Sequence, residues 1–246
     1  ALNRMKPDVI VHMAALPLAN VAIEQTEEAF DSILSSTVNI LEVVRDFDHE
    51  CPVIYTSSSM VYGDFQTSSV TEEAPKDPKD IYGSIKLAGE IISAGYRKRY
   101  GIDVRTVRPT AVYGPYDANR RVLYKFITRA LNGQPLRIDG DGSMALDFTY
   151  VDDTANGIYR VATTEAAACE TFNIARGKSE TLSTAVSIIS ETIGDVKVEY
   201  GEVPAHIPTR GTLDVTKARE LIAFDLQNGL EQALPAYIEH LRHNPI

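Results

Sequence analysis

The chain is organised around the stretch Tyr82-Gly83-Ser84-Ile85-Lys86, which opens a predicted helix that runs to about Tyr100. Residues four positions apart lie on one face of an α-helix, so the phenol of Tyr82 and the ammonium of Lys86 can point into the same cleft. A neighbouring cation favours the ionised form of a phenol, whose usual pKa is about 10. The stretch therefore predicts a tyrosine acid/base with a lysine that lowers the tyrosine pKa.

Short apolar segments rich in β-branched residues lie on both sides of this helix. They cover residues 9–13, 52–56, 104–108 and 171–175, and segments with helical spacing of apolar residues separate them. Strands that alternate with helices are typical of a doubly wound α/β fold with a parallel sheet. We therefore predict a fold of this class, with further helices and short strands beyond residue 114 that fold over the edge of the sheet.

The composition is that of an ordinary water-soluble protein. The 246 residues are 44% hydrophobic and carry a net charge of −10, which disfavours a nucleic-acid surface and a general affinity for anionic membranes. Cys51 and Cys169 form neither a disulfide framework nor a metal-binding pattern. With no signal peptide and no apolar run of membrane-spanning length in the sequence, we predict a cytoplasmic protein with reduced thiols and no metal.

Small and hydroxyl-bearing residues follow the predicted strands. Ala14 and Ala15 follow the first, Ser57-Ser58-Ser59 follow the second, and Pro109 follows the third. Ligands of open α/β sheets bind at the carboxyl ends of the strands. The serine cluster is therefore predicted to hydrogen-bond a substrate oxygen, whereas His12, within its strand, is predicted to be packed and not catalytic.

These motifs, in this order and spacing, resemble the extended short-chain dehydrogenases/reductases of the NAD-dependent epimerase/dehydratase family. The matching segments are His12-Met13-Ala14-Ala15, Ser57 to Gly63, Tyr82 to Lys86, Arg108 to Pro115, and Gly140 to Asp153. The resemblance implies a Rossmann-like sheet, NAD as cofactor and a nucleotide sugar as substrate. It favours an epimerase similar to UDP-glucose 4-epimerase, in which hydride passes transiently to NAD and the net reaction is not a redox change.

The resemblance also implies roles for individual residues. Tyr82 would be the acid/base, Lys86 would hold the nicotinamide ribose, and Ser58 would hydrogen-bond the reacting hydroxyl. Arg210 would hold the nucleotide diphosphate, because a planar guanidinium suits phosphate oxygens. Cofactor contacts are implied for Ala14, Ala15, Tyr82, Lys86 and Pro109, and substrate contacts for Ser58, Ser59 and Arg210.

The chain departs from the family pattern in three places. Ser59 and Met60 stand where the 4,6-dehydratases carry an acidic pair, which disfavours dehydration. Ala111 and Leu146 stand where many nucleotide-sugar enzymes carry an Asn and an Arg that contact the substrate. Two alternatives therefore stay open: an NAD(P)-dependent oxidoreductase of the same superfamily that acts on a smaller carbonyl or hydroxyl compound, and a truncated, non-catalytic relative.

The remaining expectations concern domains and assembly. The first strand and Gly-rich loop of the family would precede Ala1, so we expect the sheet to be incomplete at its start and these 246 residues alone to bind NAD poorly. Residues 1–114 and 147–178 are predicted to form the dinucleotide-binding domain, and residues 115–146 and 179–246 a smaller substrate-binding cap. A homodimer is expected through the helices near 26–47 and 80–100.

Overall fold

The computed structural model describes residues 2–16, 19–47, 49–204 and 207–244. Its helices are α1 (Leu2–Met5), α2 (Ala19–Glu24), α3 (Thr26–Phe30), α4 (Ser36–Arg45), α5 (Ile81–Tyr100), α6 (Val122–Leu131), α7 (Val151–Thr163), α8 (Leu182–Ile193), α9 (Thr216–Ile222) and α10 (Leu230–His243). Its strands are β1 (Ile10–His12), β2 (Val53–Thr56), β3 (Ser69–Val70), β4 (Val104–Pro109), β5 (Val112–Tyr113), β6 (Leu136–Asp139), β7 (Ala145–Leu146), β8 (Thr149–Tyr150), β9 (Thr171–Ile174), β10 (Glu180–Thr181), β11 (Val198–Gly201) and β12 (Thr212–Leu213). A π-helical turn joins α3 to α4, and a 3₁₀ turn over Ser59–Tyr62 follows β2.

A four-stranded parallel sheet forms the centre of the fold. Its strand order is β1-β2-β4-β9, so each strand lies beside the next of the four along the chain. In register, His12 lies opposite Tyr55, and Thr56 lies opposite Val107. The carboxyl ends of the four strands therefore meet at one edge of the sheet, as the sequence predicts.

Helices cover both faces of this sheet. Successive side chains of a strand point to opposite faces, and β2 follows this rule. Val53 and Tyr55 pack in one cluster with Leu41 of α4. Ile54 packs in another cluster with Val161 of α7. Apolar side chains of β2 and β4 are thus buried on both faces of the sheet. This burial confirms the predicted doubly wound architecture.

The helix that carries Tyr82 has clear signals at both ends. Asp80 precedes α5 in an extended conformation, and its side chain accepts a hydrogen bond from the backbone N–H of Gly83. Gly101 ends the helix with φ 73°, in the left-handed region that glycine adopts most easily. The predicted bounds of this helix are confirmed to within one residue.

A second core lies beyond the sheet. It is built by α6, α8 and α10 with β6 and β11, and its buried members include Leu123, Ile127, Ile189, Leu234 and Ile238. Its helices come from the two segments, 115–146 and 179–246, that the sequence assigns to the cap. Two cap segments far apart in sequence thus share one hydrophobic core.

One part of the predicted cap packs elsewhere. Ala218 and Ile222 of α9 are buried with Phe172 of β9, in the core of the parallel sheet. In addition, β12 pairs in parallel with β3. The segment from β12 to α9 thus packs outside the second core: Leu213 of β12 is buried with Val70 of β3, and α9 covers the face of the sheet on which α7 lies. The division of the chain into two domains stays a prediction.

The close packing of α5 on β2 gives a first testable prediction. A Cβ atom on Gly89 would overlap the hydroxyl of Tyr55, which is fully buried and donates to the Lys86 carbonyl at 3.1 Å. Gly89→Ala is therefore expected to lower the free energy of unfolding by about 2 kcal/mol, as overpacking does. Gly95→Ala on the same helix is the control. It meets no atom within 4 Å and should raise stability by up to about 1 kcal/mol. Urea unfolding measures both variants, and an equal change in the free energy of unfolding would contradict the close contact of Gly89 with Tyr55.

Candidate active site

The side chains predicted to be functional meet at the carboxyl edge of the sheet. Ser58 follows β2, and Tyr82 and Lys86 lie on the first turns of α5. Ala15 follows β1 and borders the same apolar cluster as Tyr82, a cluster that contains Ile33. The structure thus brings together residues from three parts of the chain that the sequence places apart.

Lys86 is held in place by the end of β2. Its side chain is only 3% exposed, and its Nζ donates to the carbonyl of Thr56 at 2.7 Å. The same Nζ lies 5.5 Å from the centroid of the Tyr55 ring and 5.8 Å from that of the Tyr82 ring. Burial lowers the pKa of Lys86 to about 8. The ammonium is therefore fixed beside the phenol by a backbone contact.

Tyr82 differs from the sequence-based expectation in its acidity. Burial raises its pKa above the ordinary value, and this effect exceeds all the opposing ones. A hydrogen bond with Ser58 lowers the pKa most, followed by the charges of Arg121 and Arg210. The prediction of a net lowered pKa is therefore wrong for this structure, because desolvation of the phenolate outweighs the nearby cations.

Ser58 is positioned by the turn that it caps. Its Oγ accepts a hydrogen bond from the backbone N–H of Met60 at 3.2 Å, at the start of the 3₁₀ turn. This turn lies against the first turn of α5, where a Cβ atom on Gly83 would come within 2.7 Å of the Met60 carbonyl oxygen. Glycine in the Tyr82–Lys86 stretch therefore permits the close approach that places Ser58 beside Tyr82.

Arg210 reaches the same crevice from the loop before β12. Its Nη1 donates to Ser59 Oγ at 2.9 Å and to Thr110 Oγ1 at 3.2 Å, and its Nη2 contacts the sulfur of Met60. Burial lowers the pKa of Arg210 to about 10, while the charges of Asp80 and Tyr82 act in the opposite direction. Its predicted contact with a diphosphate stays a prediction, as does the substrate contact of Ser59.

The residues predicted to line the cofactor channel lie at the ends of their strands. Ala14 is exposed and Ala15 half-buried where the chain leaves β1, and Pro109 is the last residue of β4. Between them, the Thr56 hydroxyl at the end of β2 is buried and has no hydrogen-bond partner in the described part of the chain. An unpaired hydroxyl and a fixed ammonium at one strand end fit the hydroxyls of a bound ribose.

A buried ion pair supports this edge of the sheet. Arg108 of β4 binds Glu90 of α5 through two hydrogen bonds, Nε to Oε1 at 2.9 Å and Nη2 to Oε2 at 2.6 Å. Glu90 also accepts from Ser57 Oγ at 2.5 Å, and Arg108 Nη1 donates to the Tyr62 hydroxyl at 2.8 Å. The network ties α5 to the serine-rich turn and to the neighbouring strand. In the sequence, Arg108 lies at a strand end and at the start of a family motif, and neither feature predicts this ion pair.

His12 is packed, as the sequence predicts. It is buried in β1, its Nε2 lies 2.9 Å from Thr37 Oγ1, and burial lowers its pKa. Both cysteines, Cys51 and Cys169, are free thiols. Within the described ranges no helix combines the length and the apolar character needed to cross a membrane.

The buried lysine leads to a prediction for stability against pH. Its pKa is about 8 in the folded protein and 10.5 ordinarily, so the unfolded chain binds this proton more tightly and the folded state is penalised most below pH 8. Lys86→Met removes this penalty but also removes one hydrogen bond, and the penalty is the larger of the two. The substitution is therefore expected to raise the free energy of unfolding at pH 7 by about 2 kcal/mol. The gain should shrink as the pH rises from 8 towards 10.5.

Denaturant unfolding at several pH values measures this difference. Lys98→Met, on the exposed side of the same helix, is the matched control and should show no such pH dependence. A Lys86→Met protein that is less stable than the wild type at pH 7, or a gain that does not change with pH, would contradict a lysine whose pKa is lowered by burial.

Comparison with known proteins agrees with this geometry. The model of the NAD dependent epimerase/dehydratase family matches residues 1–175. A UDP-glucuronate 4-epimerase of Thermodesulfobacterium geofontis is 29% identical over 238 residues, which make up 96% of this chain and 72% of the relative. A UDP-glucose 4-epimerase of Mycolicibacterium smegmatis is 28% identical and covers 98% of this chain and 78% of its own length.

Solved structures lead to the same family. The UDP-glucuronic acid 4-epimerase from Bacillus cereus, crystallised with UDP-glucuronic acid and NAD, has a TM-score of 0.92 and 25% sequence identity, covering 98% of this chain and 77% of that one. MoeE5, crystallised with UDP-glucuronic acid and NAD, has a TM-score of 0.91 and 27% identity, with coverage of 97% and 80%. Since the family model matches more than half of the chain and includes both the serine-rich turn and the Tyr82 helix, the chain belongs to the NAD-dependent epimerase/dehydratase family.

Proposed function

We propose that this protein epimerises a nucleotide sugar with NAD as cofactor. The observation that carries the proposal is the meeting of Ser58, Tyr82 and Lys86 at the carboxyl ends of the parallel strands. Relatives and solved neighbours named as UDP-sugar 4-epimerases support the same reaction class. The convergence also argues against a non-catalytic relative, because a scaffold has no need of a hydroxyl, a phenol and an ammonium in one crevice.

In this proposal Lys86 and Thr56 hold the ribose next to the nicotinamide, and Ala14, Ala15 and Pro109 border the channel for the cofactor. Bound NAD supplies the acceptor and donor of hydride. The contribution of the chain is to fix the sugar in orientation and to move a proton at one hydroxyl oxygen.

Tyr82 moves that proton. As the phenolate, Tyr82 takes up the proton of the sugar hydroxyl while the sugar becomes a ketone, and as the phenol it returns this proton once the ketone has presented its other face. Ser58, whose hydroxyl acts to lower the pKa of Tyr82, hydrogen-bonds the same sugar oxygen and keeps it within reach of the phenol. Positioned proton transfer of this kind typically contributes about 10²–10⁴-fold to the rate.

Substrate contacts are proposed for Ser59 and Arg210. Arg210 is half-buried, and its guanidinium hydrogen-bonds Ser59 and Thr110, which follow β2 and β4. A cation in this position suits an anionic group of the substrate, the diphosphate in our proposal. The hydroxyl of Ser59 and the thioether of Met60 supply no acid for the elimination of water, so epimerisation is favoured over dehydration.

Ala111 and Leu146 favour the second candidate, an oxidoreductase for a smaller carbonyl compound. Ala111 has a positive φ of 39°, and both residues pack against the second core with apolar side chains. Incubation of the NAD-loaded protein with UDP-glucose and UDP-glucuronate separates the two candidates. An epimer detected by NMR without accumulation of NADH is expected, whereas lasting NADH formation would overturn the epimerase in favour of the oxidoreductase.

We further propose a cytoplasmic homodimer. Phe30, at the end of α3, and Ile91, on α5, are exposed apolar residues on the two helical segments expected to meet across the interface. Sedimentation of the protein measures the assembly, and a monomer at micromolar concentration would contradict it. Fractionation of cells tests the cytoplasmic location, and recovery of the protein from the periplasm or the medium would contradict it.

A further inference from the structure

Asp80 is a buried carboxylate that the sequence motifs leave without a role. It precedes α5, and its Oδ1 accepts a hydrogen bond from the Gly83 N–H at 2.6 Å. Its side chain is only 7% exposed. The second oxygen, Oδ2, is buried and lacks a hydrogen-bond partner among the residues that the structure describes. A buried carboxylate with one unpaired oxygen is costly, so its retention needs a reason.

The cap made by Asp80 is linked directly to the position of Tyr82. Gly83, which Asp80 holds, is the residue next to Tyr82, and the Met60 carbonyl lies where a Gly83 side chain would begin. The N–H of Met60 in turn donates to Ser58. Two caps, Ser58 on the 3₁₀ turn and Asp80 on α5, therefore meet through one contact and fix the phenol against the serine.

Some of the charged groups around Tyr82 have an ion-pair partner, and others do not. Ser58, Lys86, Arg121, Arg210, Asp80 and the buried Tyr55 are the polar and titratable groups that act on the phenol or lie beside it. Arg121 is paired with Asp117 at 2.9 Å, whereas no ion pair of Arg210 or Asp80 occurs in the described ranges. Asp80 is thus a negative charge that opposes the cations around the phenol.

We propose that Asp80 is a positioning residue that holds Tyr82 against Ser58 through its helix cap and sets, through its charge, the pH range in which Tyr82 exchanges protons. The catalytic part of this proposal rests on the proposed function, whereas the electrostatic part concerns the phenol alone. The charge of Asp80 acts to raise the pKa of Tyr82 and that of Arg210.

Two substitutions separate the cap from the charge. Asp80→Asn and Asp80→Ser both keep an oxygen that can accept from the Gly83 N–H, because Asn and Ser are good helix caps, but both remove the charge. Asp80→Ala removes the cap as well. Removal of the negative charge favours the phenolate, so the Tyr82 titration is expected to move down by about one pH unit in both capping variants.

The titration is measured by NMR on protein labelled with ¹³C at the tyrosine Cζ, with the Tyr82 signal assigned from Tyr82→Phe. The midpoint, or the phenolate fraction at the highest pH at which all proteins remain folded, is compared between the wild type, Asp80→Asn and Asp80→Ser. A lower midpoint or a larger phenolate fraction in both variants supports the proposal. Identical values in all three proteins would overturn it, whether or not the protein shows epimerase activity.

A second readout uses the NAD-loaded protein. Asp80→Asn should keep kcat within about threefold at its own optimum and move the acidic limb of kcat/KM to lower pH, whereas Asp80→Ala should also lose about tenfold or more in kcat. A purely structural role would lower kcat in both variants without moving the limb, and that result would overturn the electrostatic part. If the wild type forms no epimer, the proposed function fails while the NMR titration still decides the role of Asp80.

Discussion

Replacement of Tyr82 by phenylalanine is expected to lower the turnover of the NAD-loaded protein by about 100-fold or more. The substitution keeps the ring packed against the apolar cluster that contains Ile33 and Ile85 but removes the oxygen that exchanges the proton. Binding of the nucleotide sugar should change little, so the loss should appear in kcat and not in KM. Steady-state kinetics of the two proteins with one UDP-sugar measure the effect.

Tyr116→Phe is the matched control for this experiment. Tyr116 is exposed on the loop after β5, and loss of its hydroxyl should leave turnover unchanged within about twofold. Thermal unfolding of both variants shows whether the fold is kept. Turnover of Tyr82→Phe equal to that of the wild type would remove Tyr82 as the acid/base and, with it, the mechanism proposed for the site.

Replacement of Arg108 by methionine is expected to lower the free energy of unfolding by about 3–5 kcal/mol, because it leaves the Glu90 carboxylate buried without its cation. The side chains of Arg108 and Glu90 are only 4% and 11% exposed, and two hydrogen bonds join them. Loss of the guanidinium also removes the bond to the Tyr62 hydroxyl. Urea unfolding of the wild type and the variant measures the difference.

Two controls make this prediction specific to burial. Arg242 and Glu239 form an ion pair whose side chains are 45% and 53% exposed, so Arg242→Met should change stability by no more than about 0.5 kcal/mol. The double variant Arg108→Met with Glu90→Leu should regain part of the lost stability, since no unpaired charge then remains. Two results would contradict the buried pair as the cause. One is a similar loss of stability in Arg108→Met and Arg242→Met, and the other is a double variant that loses more stability than the two single variants together.

The sequence alone determined the elements and the central members of the site. Apolar segments of strand length, separated by segments of helical period, predict the parallel sheet because burial on two faces requires it. The spacing of Tyr82 and Lys86 predicts a shared face because helical geometry is local. Ser58 is found by its place after a strand, since the carboxyl ends of parallel strands meet at one edge.

The tertiary structure decided the acidity of Tyr82 and the identity of its neighbours. Whether burial or nearby cations prevail depends on how much water reaches the phenol, and no local pattern contains that quantity. Arg121 and Arg210 act on Tyr82 from distant parts of the chain, and α9 packs on the sheet and not in the second core because of the space that it fills. Periodicity and spacing are properties of neighbours along the chain, whereas desolvation and long-range charge depend on distances that only the folded chain defines.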